Sequence, residues 1–431
     1  MATSREANSK SEKTPASAAS PGIGFIDFQT LPAGTTEEVV TLAAEDGGAS
    51  RGVLYRRGGE KTVVCFMHPR ADMSRHYAIP TVLEAGYAAF GHQNRWLNND
   101  IACIHEVLLA DVAAGVRFLK EVKGFERVIL FGNSGGGSLY AFYQGQAVTP
   151  PPGRLTDTPA GDPYDLNRFQ MPPADGLIFF AVHLGEGVFM LDKIDPSVTA
   201  ESDPLSCDPS LDMYNPANGF RELPEQSKYS AEFLERYRPA QRARVARLDA
   251  IARKYVEEQR YFQELMRQPE FQKLPLERKQ FINRRAVVGP YMIIYRTEAD
   301  PAYCDLSLNA KHSTRKVGSL ITPRPDLFNY MEGGFSRYQT PRAWLSNWSG
   351  LSSRAAILAN LPKITVPTLV VSFTADNACF PDSSEAMYQQ SLAQDKQIAY
   401  VDANHFGYPL TGREEALNVM AQWLRERFAG R

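Results

Sequence analysis

Arg127-Val128-Ile129-Leu130-Phe131-Gly132-Asn133-Ser134-Gly135-Gly136-Gly137 decides how this chain is read. Val128 to Phe131 is a short apolar run of the kind that forms a buried strand. Gly132 to Gly136 fits the pattern G-x-S-x-G, and Ser138 to Gln146 behind it reads as a helix. Strand, sharp turn and helix form the context in which this pattern carries chemistry. The turn strains the serine backbone, so its neighbours must be small; Gly132 and Gly136 let strand and helix approach closely. Ser134 Oγ is then presented at the carboxyl end of a sheet, above a helix N-terminus that favours developing negative charge. Taken alone, the same residues would equally serve as a glycine-rich turn with an incidental serine.

Two downstream residues tip the balance. Val366 to Phe373 reads as a strand, and Asp376 lies in the turn after it. Gln397 to Val401 reads as another, and His405 lies in the segment leaving it. A serine on an elbow, then an acid, then a histidine, each just past a strand, resembles the α/β-hydrolase superfamily in motif and in chain order. The resemblance covers about residues 37–183 and 350–431. It implies a mostly parallel central sheet flanked by helices. It also implies Ser134 as nucleophile, His405 as base and Asp376 as the acid that orients the imidazole. Asp402 is a weaker acid candidate, being so near His405 that it reads as a turn residue. Asp382 is the closer rival. In many relatives the histidine after the third strand is followed by a glycine, and the residue after that gives an N–H to the oxyanion. Here the loop reads His68-Pro69-Arg70-Ala71. Proline has no N–H, so the resemblance assigns the oxyanion donors to Gly135 and, by position, Arg70, with Ala71 next in line.

The 431 residues exceed what one such core needs, so a second lobe is expected. Apolar content of 43% and charged content of 22% suit a globular protein. Lys and Arg number 47 against 49 Asp and Glu, so no global field recruits nucleic acid or an anionic membrane. Five scattered cysteines without a C-x-x-C pattern argue against both a disulfide framework and a zinc site. A reducing, cytoplasmic setting is expected. No apolar run reaches the length of a membrane span.

Residues 1–22 are rich in Ser, Ala, Lys and Glu and read as a disordered tail without a secretory h-region. The core is expected at 23–183 and 346–431. Two opening strands, Glu37 to Ala43 and Gly52 to Arg56, precede the apolar run Lys61 to Met67, which reads as a central strand. Arg95, in a polar loop after the next strand, either meets a substrate carboxylate or braces the loop by pairing with Asp100 or Glu106. His105, on an amphipathic helix at Ile104 to Val122, reads as structural. A proline-rich excursion runs from Thr149 to Pro173, and His183 follows the strand Gly176 to Val182. Residues 184–345 then break the pattern and read as a mostly helical cap. Its main helix spans Ser230 to Met266, broken near Pro239, and a further helix spans Leu274 to Arg285. Arg and Glu along these helices form solvated faces rather than a nucleic-acid site. Phe328, Tyr330, Phe335 and Trp344 crowd the return to the core and are expected to roof the pocket, with His68, Arg95 and His183 at its border.

The function that follows is hydrolysis of a medium-sized, largely apolar carboxylic ester through an acyl-enzyme, with no metal or organic cofactor required. Asn133-Ser134-Gly135-Gly136 also resembles the nucleophile motif of C–C hydrolases that act on ring-cleavage products, although the His68-Pro69-Arg70 loop does not. Thioester hydrolysis or acyl transfer ranks third. A non-catalytic receptor on the same scaffold would be expected to lack one of the three residues. The oligomeric state and the acyl and alcohol groups are not legible.

Overall fold

Apolar sequence sets the centre of the sheet. In this computed structural model, residues 28, 30–97 and 99–428 are described; the expected tail at 1–22 lies outside them. The strands in chain order are β1 Thr36–Ala43, β2 Ala49–Arg56, β3 Thr62–Phe66, β4 Ala88–Gln93, β5 Arg127–Asn133, β6 Gly176–Phe180, β7 Met292–Ile293, β8 Tyr338–Gln339, β9 Thr368–Phe373 and β10 Lys396–Val401. Every residue of β3, β6 and β9 is buried, as both faces of a covered parallel sheet require. β1, by contrast, is largely exposed and carries Glu37 and Glu38, which suits an edge that must not pair further.

Eight strands form one sheet in the order β1-β2-β4-β3-β5-β6-β9-β10. β1 and β2 pair antiparallel, β2 meets β4 antiparallel, and the remaining neighbours run parallel. The order reverses between β3 and β5. Chain leaving β3 turns to one side, toward β4, and chain leaving β5 turns to the other, toward β6. A crevice opens at the carboxyl ends where such a reversal occurs. The loop carrying His68 and the turn carrying Ser134 flank it.

Helices cover both faces. α1 (Ile79–Glu84) and the C-terminal helix Leu410–Phe428 pack on one face through Ile79, Val82, Met420 and Trp423. α2 (His105–Arg117) and α3 (Gly135–Ala147) pack on the other through Leu108, Val112, Leu139 and Tyr143. This is the α/β-hydrolase fold, with a large helical insertion between β6 and β9.

The insertion builds cores of its own. α4 (Glu186–Lys193), the 37-residue α5 (Ala231–Arg267) and α6 (Leu276–Val287) supply most of its helix. Val245, Leu248 and Ala252 of α5 pack with Phe189, Met190, Trp344 and Trp348. The expected break at Pro239 does not occur, and α5 runs through it. Proline costs the helix the bond to the carbonyl four residues earlier. That carbonyl belongs to Glu235 on the exposed face, where water can take the bond. Tyr237 and Gln241 on the buried face hold the helix by donating to the carbonyls of Ala299 and Ile194. The proline-rich excursion docks on the insertion: Arg253 donates to Pro159 O, and Arg260 and Arg342 pair with Asp162. Among the described residues no helix is long and apolar enough to cross a membrane.

Candidate active site

The turn after β5 has the geometry its glycines allow. Ser134 sits at φ 52°, ψ −124°, a conformation costing a non-glycine residue about 1–3 kcal/mol. A Cβ on Gly132 would stand 2.5 Å from the Gly137 nitrogen, and one on Gly136 would stand 2.3 Å from Met67 O. Larger residues would therefore push the elbow off the sheet. The amide of Ser134 donates to Phe180 O and Ala181 O, which ties the turn to β6.

Three side chains from three strand ends meet here. His405 Nε2 lies 3.1 Å from Ser134 Oγ, and His405 Nδ1 lies 2.7 Å from Asp376 Oδ2. The other Asp376 oxygen accepts from the backbone N–H groups of Ala378 and Cys379 at 2.7 and 2.9 Å. The carboxylate is thus held on both sides, and all three residues are buried. The rival acids stand elsewhere. Asp402 Oδ1 accepts from the hydroxyls of Thr314 and Thr374, so it fastens the turn beside His405. Asp382 lies in the first turn of the helix Pro381–Gln390. Cys379 also lies close: among the described residues, Asp376, Cys379 and His405 are the cluster whose ligand atoms could reach one ion.

The loop after β3 departs from expectation. The backbone N–H groups of Arg70 and Ala71 both donate to Nδ1 of His68, at 3.0 Å each. The ring folds back over its own loop and takes up the amide that was assigned to the oxyanion. Asn94 secures the loop from below, its Nδ2 donating to His68 O and Pro69 O at 2.9 and 2.8 Å. The guanidinium of Arg70 lies over the faces of Trp348 and Phe335, at 4.6 and 5.5 Å from the ring centroids. Gly135 is the first residue of α3, so its N–H belongs to a helix turn with no intrahelical acceptor.

A cavity of about 510 Å³ opens over Ser134 and His405. His68, Arg70, Leu320, Ile321, Phe335, Tyr338 and Phe406 line it. Of the four aromatics expected in the roof, Phe335 alone does so. Trp344 is fully buried away from it, because Asp249 on α5 accepts from its Nε1 at 2.8 Å and draws the ring into the insertion core. Tyr330 is 47% exposed and its ring lies beneath the Arg296 guanidinium. Phe328 packs against Gly333. The missed residues Leu320, Ile321 and Tyr338 belong to coil and a two-residue strand, which carry no periodic signal. Phe406 could have been found by its place next to His405.

Two further candidates lie outside the cavity lining. Arg95 makes paired bonds to Asp111 and Asp46, which engage the guanidinium. These bonds brace the loop, and Glu106 is engaged elsewhere, with Ser346. His183 stands behind the cavity, not in it, accepting from Gly185 N–H through Nδ1. Burial pushes its pKa down to about 4, so its ring is neutral. His105 is buried near Glu186, with its pKa lowered by desolvation. Glu186 was not foreseen. Its Oε2 accepts from Ser138 Oγ at 2.7 Å, and its Oε1 would stand 2.3 Å from a Cβ on Gly135. A carboxylate therefore lies beside the first turn of α3, bonded to a side chain of that turn, where negative charge is favoured and the serine N-cap makes no side-chain bond. Asn133 points away from the cavity, donating to Phe180 O and meeting His76. Its likeness to the C–C hydrolase motif is thus a matter of scaffold.

No family model matches the chain, and no curated protein matches it. Several solved structures do. The structure of DcsB in complex with its substrate analogue is 11% identical, covers 92% of this chain and 100% of that one, and has a TM-score of 0.49. The α/β hydrolase GrgF from Penicillium sp. sh18 is 12% identical over 92% and 100%, with a TM-score of 0.44. An esterase from Exiguobacterium antarcticum is 14% identical over 90% and 99%, with a TM-score of 0.39. At such identities and scores the assignment stands on the chain's own strand order, the reversal between β3 and β5, and the elbow at Ser134. On those grounds this is a protein of the α/β-hydrolase fold.

Proposed function

We propose that the chain is a serine hydrolase that cleaves a carboxylic ester through an acyl-enzyme on Ser134. One observation carries this reading: Ser134 Oγ, His405 and Asp376 form an unbroken relay at the floor of a cavity that Leu320, Ile321, Phe335, Tyr338 and Phe406 line together with the charged Arg70, Asp72, Glu332 and Arg337. His405 Nε2 takes the proton as Oγ attacks the ester carbonyl and returns it to the leaving alcohol. Asp376 holds the imidazole by Nδ1 and stabilises the imidazolium. Gly135 N–H faces the developing oxyanion. A water activated by His405 then releases the acid. The reaction needs no metal or organic group.

Residues 184–345 act in this reading as a cap that selects the substrate and supplies neither nucleophile, base nor acid. The roof residues Leu320, Ile321, Phe335 and Tyr338 all come from it. The cavity suits a medium-sized, largely apolar ester. The five cysteines form no disulfide, which supports a reducing compartment, and we assign the cytoplasm on that basis.

A panel of p-nitrophenyl esters of graded acyl length tests the assignment. Turnover by the wild type, lost in Ser134→Ala together with covalent labelling by a fluorophosphonate, is the expected result. Turnover that survives in Ser134→Ala refutes it.

A further inference from the structure

We propose that the ring of His68 supplies the second oxyanion donor, its Nε2–H acting with the N–H of Gly135 on the ester carbonyl oxygen. The proposal deepens the ester-hydrolase reading and rests on it.

Backbone donors on this loop are accounted for elsewhere. Pro69 has none, and the N–H groups of Arg70 and Ala71 both point at His68 Nδ1. That arrangement fixes the tautomer. A neutral imidazole whose Nδ1 accepts carries its proton on Nε2. Burial, with the charges of Arg70 and neighbouring histidines, holds the His68 pKa well below its ordinary value, so the ring stays neutral. His68 Nε2 stands beside the elbow: it lies 3.1 Å from where a Cβ on Gly135 would stand, and His68 lines the cavity with Ser134 and His405. The Asn94 bonds to the loop carbonyls fix the ring's base, so the donor is in place before substrate arrives.

The step balances without His68 giving up a proton. A bond forms from Ser134 Oγ to the carbonyl carbon, and the C=O π pair moves onto oxygen. The Oγ proton passes to His405, and His68 Nε2–H donates a hydrogen bond to the new oxyanion. Collapse re-forms the C=O and expels the alkoxide, which takes its proton from His405.

Two substitutions in the full chain separate this role from that of a loop staple. His68→Asn places an amide oxygen near Nδ1, so it keeps the acceptor for Arg70 and Ala71 but cannot reach Gly135. His68→Gln places an amide N–H near Nε2. With p-nitrophenyl butyrate, His68→Asn is expected to lose about 10²–10³-fold in kcat with little change in KM, and His68→Gln to recover most of it. Inhibition by an alkyl trifluoromethyl ketone, whose hemiketal oxygen occupies the oxyanion position, should weaken in parallel with kcat/KM. Affinity for the matching alcohol should not move. Near wild-type kcat in His68→Asn overturns the proposal, as do equal losses in both variants with unchanged ketone inhibition. Should His68→Asn not fold, His68→Phe replaces it against His68→Gln on the same ratios. A wild type with neither ester turnover nor fluorophosphonate labelling at Ser134 would instead remove the ester-hydrolase reading itself.

Discussion

The floor and the roof of the cavity are built by opposite means. The floor is Ser134, Asp376 and His405, buried at the ends of three strands and fastened by backbone amides. The roof is a stretch of coil, one short helical turn at Pro325–Phe328 and a short strand around residues 320–339, where Tyr338 is 48% exposed. Groups that must hold reacting atoms in place sit on the rigid sheet, and groups that select by shape sit on segments that tolerate change. If this division holds, substitutions in the floor should abolish chemistry, whereas substitutions in the roof should redistribute it among substrates.

The largest effect is expected for Ser134→Ala. Ester hydrolysis should fall by about 10⁴-fold or more, while thermal unfolding stays close to wild type because only a hydroxyl is lost. Next is Asp376→Asn, with a loss of about 10³–10⁴-fold in kcat as the imidazole loses its oriented tautomer. Asp402→Asn and Asp382→Asn should leave kcat close to wild type; a large loss in either would move the acid. In the roof, Phe335→Ala should change the ratio of kcat/KM between short and long esters by about tenfold, with fluorophosphonate labelling rates little altered. Trp344→Ala makes the contrast within the insertion. It should cost about 3–5 kcal/mol of stability on denaturation without shifting ester preference, since its ring packs against α5.

The smallest expected effect concerns the seam between core and insertion. Glu106 on α2 is fully buried, accepting from Ser346 Oγ at 2.6 Å, and desolvation raises its pKa to about 7. A carboxyl raised in the fold contributes stability below its unfolded pKa and loses that contribution as pH rises through its folded value. Glu106→Gln does not titrate, so it should gain stability relative to wild type as pH rises from about 4.5 to 7, reaching on the order of 2–3 kcal/mol. Urea unfolding at pH 5 and pH 8 measures this. A gain at pH 5 that vanishes at pH 8 would reverse the sign.

The floor was legible in the sequence because each of its residues follows an apolar strand, and strand ends are marked by local composition. The order serine, acid, histidine then fixed the fold. What set the roof was tertiary. Trp344 left it because Asp249, distant in sequence, takes its indole N–H. Local sequence offers Arg95 partners in its own loop, yet Asp46 before β2 and Asp111 on α2 hold it. The break expected at Pro239 failed because a helix interior is judged by which face exposes its lost bond, and periodicity alone does not say so. His68 stands out in the sequence after an apolar strand, but two amides converge on one of its ring nitrogens, a geometry that no pattern of residue types encodes.

If the chain is a serine hydrolase of this kind, Ser134 carries the acyl group. Rapid acid quench during turnover of a p-nitrophenyl ester, followed by peptide mass mapping, tests it most directly. The acyl mass is expected on the peptide containing Ser134, absent from Ser134→Ala and accumulating in variants slow to deacylate. Continued turnover with the acyl mass on another residue, or on none, would contradict it.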